Sequence, residues 1–586
     1  MIPNHSRNLQ LARMKIVTQK ITLLFAGLFV FSVLHVSAQV QPQNLKGWHL
    51  ADPQDDGLYG ISLKKAYQLL DGKKARPVIV AVIDSGIDTA HEDLKHILWT
   101  NTGEIPGNGI DDDGNGYVDD IHGWNFLGNK NGINLKKDID ERSRLYYRYK
   151  NLFFGKNINA DSLNDTEKWI YSQWQKASSQ MNISADEQME IALLDITRKA
   201  FKKHEQVIKV EMNKDVFTSD DVEKFQPSSA KGKQAKLGYI TCLKIFGADQ
   251  GDATNTAILS DLNEFIDGKK QTVDEKTNQP IDYRKEVIND NYLDFNDRYY
   301  GNGDVMGPSP LHGTHVSGII GAQRDNNIGV NGIADNVQIM MIRAIPDGDE
   351  YDKDIALAIR YAVDNGAKVI NMSFGKSFSP EKRWVDEAVE YAASKDVLLV
   401  HASGNESHNV DSIDNFPNYD LKTYHAKASN FITVGSSGDP HIGDGKIVAD
   451  FSNYGKRVVD IFAPGVKIYS TLPGGNQYGF EQGTSMSAPI VTGIAALIRS
   501  YFPDLTAVQV KNIIEKSALH INDSSFVVMV PGTDTKATVG DLCTTSGFVN
   551  AYNAVKLAAE TKAEPFAAVP EKRADKAVKA TSKKGN

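Results

Sequence analysis

Apolar and polar positions along this chain alternate between two patterns. Val78-Ile79-Val80-Ala81-Val82-Ile83 is an unbroken apolar run rich in β-branched residues. That is the pattern of a strand buried on both faces in a parallel sheet. Runs of the same kind occur at 339–342, 368–372, 397–400 and 432–434. Helical periods separate them. Residues 355–365 carry Ile355, Leu357, Ala358, Ala362 and Val363 and stop at Gly366, and a second period opens at Pro380 with Val385, Ala388, Val389 and Ala392 on one face. A third helix is predicted from Ser485. Its Ile490, Val491, Ile494, Ala495, Leu497 and Ile498 make it central and buried, with Pro489 in its first turn, where a missing N–H breaks no bond. Strands alternating with helices predict a three-layer, doubly wound α/β domain with a mostly parallel sheet. Such sheets bind ligands beyond the carboxyl ends of their strands, where Asp84 lies.

The middle of the chain departs from this pattern. Residues 126–289 read as a mainly helical insertion, with a capping box at Ser184-Ala185-Asp186-Glu187 leading into a face of Ile191, Leu194, Phe201 and Ile208. Trp169, Ile170 and Trp174 suggest another packed helix. The insertion is either an accessory element that shapes substrate access or a solvated addition. The catalytic domain is expected at 57–125 and 290–555, after a short segment at 39–56 and before a basic tail at 556–586 of disordered composition.

Residues 1–38 read as a signal peptide. Arg13, Lys15 and Lys20 precede an apolar stretch, and Val36-Ser37-Ala38 gives the small-residue cleavage pattern. The stretch is shorter than the roughly 20 residues of a membrane span. The protein is therefore expected to be exported, to a periplasm or the cell exterior, without stable membrane insertion after cleavage. With 586 residues, 41% of them hydrophobic, a large core is available, and a net charge of −9 gives no support to nucleic-acid binding. Cys242 and Cys543 lie away from every motif below, and the sequence leaves their pairing open. It also leaves the oligomeric state open.

Three short blocks carry chemistry. Val82-Ile83-Asp84-Ser85-Gly86, His312-Gly313-Thr314-His315-Val316-Ser317-Gly318 and Gly483-Thr484-Ser485-Met486-Ser487-Ala488-Pro489 offer an Asp, a His and a Ser, each in a glycine-bearing loop. A serine hydroxyl is a poor nucleophile at neutral pH. It needs an imidazole to take its proton and a carboxylate to hold that imidazole. A fourth block is His401-Ala402-Ser403-Gly404-Asn405-Glu406. Together the four blocks resemble the subtilisin-like serine proteases, the subtilases, which present the triad in the order Asp, His, Ser. The resemblance fails over most of 126–290.

The resemblance implies an endopeptidase that hydrolyses peptide bonds of proteins or peptides through an acyl-serine, without an organic cofactor. Ser485 would be the nucleophile, His312 the base and then the acid, and Asp84 the residue that orients it. Asn405 would donate to the oxyanion beside the Ser485 N–H. Ser373, Phe374 and Gly375 would pair as an edge strand with an extended substrate. Ala402, Ser403 and Gly404 would line the first specificity pocket. His315 and Asp88 take structural roles by position. A rival from another class, an inactive subtilase-fold scaffold that binds peptides, predicts a lesion in these blocks, and none is visible. An esterase elbow would need a second Gly where Ser487 stands.

The segment 111–120 resembles a calcium loop. Asp111, Asp113, Asn115 and Asp119 fall at alternate ligand positions, and Gly116 suits a sharp turn. His122 occupies the position where an EF-hand has its Glu, so structural calcium and a metal-free acidic turn both stand. Asp290, Asp294 and Asp297 are further oxygen donors from a distance.

Overall fold

The long apolar runs become neighbours in one sheet. Its strands are β1 (Val78–Asp84), β2 (Gly123–Asn125), β3 (Val337–Arg343), β4 (Val369–Met372), β5 (Leu398–Ala402), β6 (Phe431–Ser437) and β7 (Ile461–Pro464). Their spatial order is β2-β3-β1-β4-β5-β6-β7 and every pairing is parallel. The computed structural model describes residues 46–246, 254–443, 445–521 and 527–566. The signal-peptide reading of 1–38 lies outside the described residues.

Two cores sandwich the sheet. Val80 and Val82 of β1 face the helices Leu311–Gly321 and Thr484–Tyr501, whereas Ala81 and Ile83 face Asp352–Asp364 and Lys382–Ser394. Burial on both faces explains why β1 shows no polar alternation. The result is the expected three-layer α/β architecture. Because β1 lies between β3 and β4, the chain reverses direction across the sheet there, and the carboxyl ends of β1, β4 and β5 sit side by side.

Three expectations change, and two strands are new. β2 and β7 had no apolar run long enough to announce them. The central helix starts at Thr484, so Pro489 lies in its second turn rather than its first. Residues 46–56, expected to precede the catalytic domain, pack onto it: Trp48 is 1% exposed and its indole N–H donates to the carbonyls of Val466 and Lys467 at 3.1 and 3.2 Å. At the other end, the helix Ala551–Glu560 carries the packed chain past residue 555, with Ala558 buried. Cys242 and Cys543 are unpaired and buried in separate clusters.

The insertion contains the helices Glu141–Phe153, Asp165–Ser179, Ala185–Met212, Ser219–Lys224, Ala230–Phe246, Asn255–Thr277 and Tyr283–Val287. The Ser184–Glu187 capping box forms, and Phe201 and Ile208 are buried in the insertion's own core. A second small core joins Leu145, Phe153 and Trp174 to Phe378, outside the insertion. Polar contacts extend that junction. The Trp169 indole donates to the Ser379 carbonyl at 2.8 Å, and the Lys176 ammonium to the Ser377 carbonyl at 3.1 Å. The insertion therefore seats on the chain immediately after Ser373–Gly375. No helix among the described residues is long and apolar enough to cross a membrane.

Candidate active site

Asp84 ends β1 and is 1% exposed. Its Oδ1 accepts from the Ser85 N–H at 2.7 Å and meets His312 Nδ1 at 2.8 Å. Arg343, at the end of β3, donates to the Ser85 carbonyl at 2.9 Å and steadies the loop that follows. His312 lies in the first turn of Leu311–Gly321. That helix comes close because residue 313 is glycine: a Cβ there would stand 2.2 Å from the Gly86 carbonyl oxygen. With Nδ1 engaged by Asp84, Nε2 is the ring nitrogen available as a base. Burial opposes charging of the ring, but the Asp84 charge and hydrogen bond outweigh it, with Glu481 adding. The His312 pKa is thus raised above its ordinary value.

Ser485 is half-buried near the amino end of Thr484–Tyr501, where backbone N–H groups point outward. Its Oγ donates to the Ser373 carbonyl at 3.1 Å. The helix enters through Gly483 at φ 148°, a conformation that side chains rarely adopt. Asn405 follows β5. Its Oδ1 accepts from the Thr484 N–H at 2.8 Å and the Thr484 hydroxyl at 2.9 Å, which holds the amide against the helix start. Thr484 also accepts from the Gly404 N–H at 3.1 Å. Sequence reasoning passed over Thr484, although it stands beside the nucleophile candidate in the serine block.

Ser373–Gly375 and Ala402–Gly404 run out from the adjacent ends of β4 and β5. His401 ties them together: its Nε2 donates to the Phe374 carbonyl at 2.7 Å, and burial drops its pKa to about 4. Asn415 also spans the two segments. It donates to the Ser403 carbonyl at 2.9 Å, and a Cβ on Gly375 would stand 2.7 Å from its Oδ1. Neither residue was singled out from the sequence. His315 is fully buried, and its Nε2 reaches the carbonyls of Ile468 and Gly479 at 3.1 and 3.2 Å, so it joins the strand pair Ile468–Leu472 and Gln477–Glu481 to the His312 helix. Asp88 accepts from the N–H groups of Ala90 and Gly474.

The acidic loop differs from its expected ligand set. Oxygens of Glu104, Asp111 and Asp113 lie within 4.8 Å of one another. Asp119 faces elsewhere, accepting from the N–H groups of Gly107, Asn108 and Gly109. The Asn115 side-chain oxygen Oδ1 accepts from the Tyr117 N–H and is likewise turned into the loop. Asp290 is paired with Arg284 and Lys353, while Asp294 and Asp297 accept from the N–H groups of Asn296 and Asn291. The three converging carboxylates of Glu104, Asp111 and Asp113 fit a hard cation such as calcium.

The model of the subtilase family matches residues 75–548, which spans β1 through β7 and all four sequence blocks. The chain belongs to the subtilase family. Among similar proteins, a thermophilic serine proteinase from Bacillus sp. (strain AK1) is 36% identical over 245 residues, covering 42% of this chain and 52% of that one. Subtilisin DY from Bacillus licheniformis is 36% identical over 216 residues, covering 37% of this chain and 73% of that one. The chain thus spans about half the length of the first relative. Among solved structures, that of the prenylagaramide maturation protease PagA aligns at 29% identity and a TM-score of 0.35, covering 43% of this chain and 83% of that one. The insertion in this subtilase separates the Asp84 block from the His312 block, and its helices lie between β2 and β3 in the chain.

Proposed function

We propose that this subtilase is an exported serine endopeptidase that cleaves protein substrates with Asp84, His312 and Ser485. The observation that carries the reading is the 2.8 Å contact from buried Asp84 to His312 Nδ1 at the carboxyl end of β1, next to β4, beyond whose end Ser485 contacts Ser373. Ser485 Oγ would attack the scissile carbonyl carbon while His312 Nε2 takes its proton. The C–N bond then breaks as His312 returns that proton to the leaving amine, and water repeats the sequence to free the acyl group. The Asn405 amide and the Ser485 N–H would bind the oxyanion. An extended substrate would pair with Ser373–Gly375, with its side chain between that segment and Ala402–Gly404. The basic and apolar pattern of 1–38 supports export.

The insertion braces the wall of this cleft, because Trp169, Lys176 and Glu141 all hold the segment that continues from Gly375. Calcium at Glu104, Asp111 and Asp113 would tie the loop after β1 to its own turns by neutralising three gathered carboxylates. The test of the function is casein cleavage by the mature protein and by His312→Ala. Cleavage that disappears in the variant supports the reading. An intact, folded wild type that binds casein without cutting it supports the scaffold alternative.

A further inference from the structure

The nucleophile's helix lacks one backbone hydrogen bond, and a side chain of the substrate segment replaces it. In an α-helix the carbonyl of residue i accepts from the N–H of residue i+4. For Ser485 that residue is Pro489, which has no N–H. The Ser485 carbonyl instead accepts from Ser373 Oγ at 2.8 Å. Ser373 Oγ accepts in turn from Asn371 Nδ2 at 2.9 Å, and Asn371 Oδ1 accepts from Thr492 Oγ1 at 3.0 Å. Thr492 lies on the same helix, so the relay leaves the helix at one turn and returns to it at an earlier one. All three polar side chains are buried, at 0% exposure for Asn371 and Thr492 and 3% for Ser373. The contact is reciprocal, since Ser485 Oγ donates to the Ser373 carbonyl.

We propose that Ser373 and Asn371 are positioning residues: they supply the hydrogen bond that Pro489 removes and so fix the backbone from which Ser485 Oγ projects. This rests on Ser485 being the nucleophile. The proline keeps the Ser485 carbonyl out of the helix ladder, and Ser373 then sets the nucleophile's height relative to the segment proposed to hold the substrate. A displacement of a fraction of an ångström there acts on the reaction geometry rather than on substrate binding.

The test is a double-mutant cycle between Ser373→Ala and Pro489→Ala, read as kcat and KM on a peptide substrate, with Tm alongside. Restoring an N–H at 489 gives the Ser485 carbonyl its ordinary helical partner. In the Pro489 background, Ser373→Ala should lower kcat about tenfold with KM within about twofold. In the Pro489→Ala background the same substitution should lower kcat by less than about threefold. Equal losses in both backgrounds, or a change confined to KM, would overturn the proposal. Should Ser373→Ala not fold, the isosteric Thr492→Val carries the same comparison. A kcat loss present only with Pro489 supports the relay, and a lower Tm with unchanged kcat overturns it. An inactive wild type would fail the assignment of Ser485 before this comparison begins.

Discussion

Lys376 Nζ lies 2.9 Å from a carboxylate oxygen of Glu141, and both side chains are almost wholly buried. This pair joins the first helix of the insertion to the residue that follows the proposed substrate segment. Arg144 also pairs with Glu141, and Asp352 with Lys376. Removing Glu141 breaks two buried pairs and leaves Lys376 to Asp352 and Arg144 to Asp138; breaking a buried pair costs about 3–5 kcal/mol. Glu141→Ala should therefore lower unfolding free energy by about that much, measured by urea denaturation. A loss below about 1 kcal/mol, the range of exposed pairs, would contradict this role.

The same site sets a pH dependence. Burial alone would raise the Glu141 pKa, but Arg144 and Lys376 reverse the sign and hold it at about 2. A carboxylate whose folded pKa is depressed adds stability above its unfolded value. That stability is present above about pH 4.5 and fades as pH falls toward 2. The fall in Tm across that window should be shallower in Glu141→Gln than in wild type. Parallel curves would contradict the assignment.

His312 gives a second pH signature, in activity. Asp84 raises its pKa, so the imidazole stays protonated to a higher pH and is a base only above it. The acid limb of kcat/KM should have its midpoint above the ordinary imidazole value of about 6.5. Asp84→Asn should move that limb to lower pH and reduce kcat on the order of 10⁴-fold, the effect seen when the triad Asp is replaced in a trypsin-type enzyme. An unmoved limb would separate Asp84 from His312.

Much of this site could be read from the chain, for physical reasons that differ by element. β1 and β5 were legible because burial on both faces leaves an unbroken apolar run that ends at Asp84 and Ala402. β2, with only Gly123, Trp124 and Asn125, carries no period at all. Trp48 escaped notice because a lone aromatic among polar residues has no pattern, yet it anchors to Val466 across the fold. Thr484, His401 and Asn415 act through contacts with residues far along the chain, which spacing does not encode. Asp119 stands outside the Glu104, Asp111 and Asp113 cluster because ligand spacing ignores backbone direction. The Asp119 backbone is in a left-handed turn (φ 55°), and its carboxylate faces the N–H groups of 107–109.

The Trp48 anchor predicts that residues 46–56 are part of the folded domain. Trp48→Ala should destabilise by about 3–5 kcal/mol, as for other buried large aromatics. Thermal denaturation would show it. A change under about 1 kcal/mol would mean that the segment is dispensable.

Removal of divalent cation should lower Tm if Glu104, Asp111 and Asp113 hold calcium. Chelator should have no such effect on Glu104→Gln. A chelator-insensitive wild type would leave these residues as a metal-free turn.

The central claim is that Ser485 is the nucleophile. The most direct measurement treats the mature protein with a fluorophosphonate and maps the adduct by mass spectrometry. The account predicts a single adduct on the peptide containing Ser485, absent from Ser485→Ala and slowed in His312→Ala. Labelling that persists in Ser485→Ala, or a folded wild type that takes no label, would contradict it.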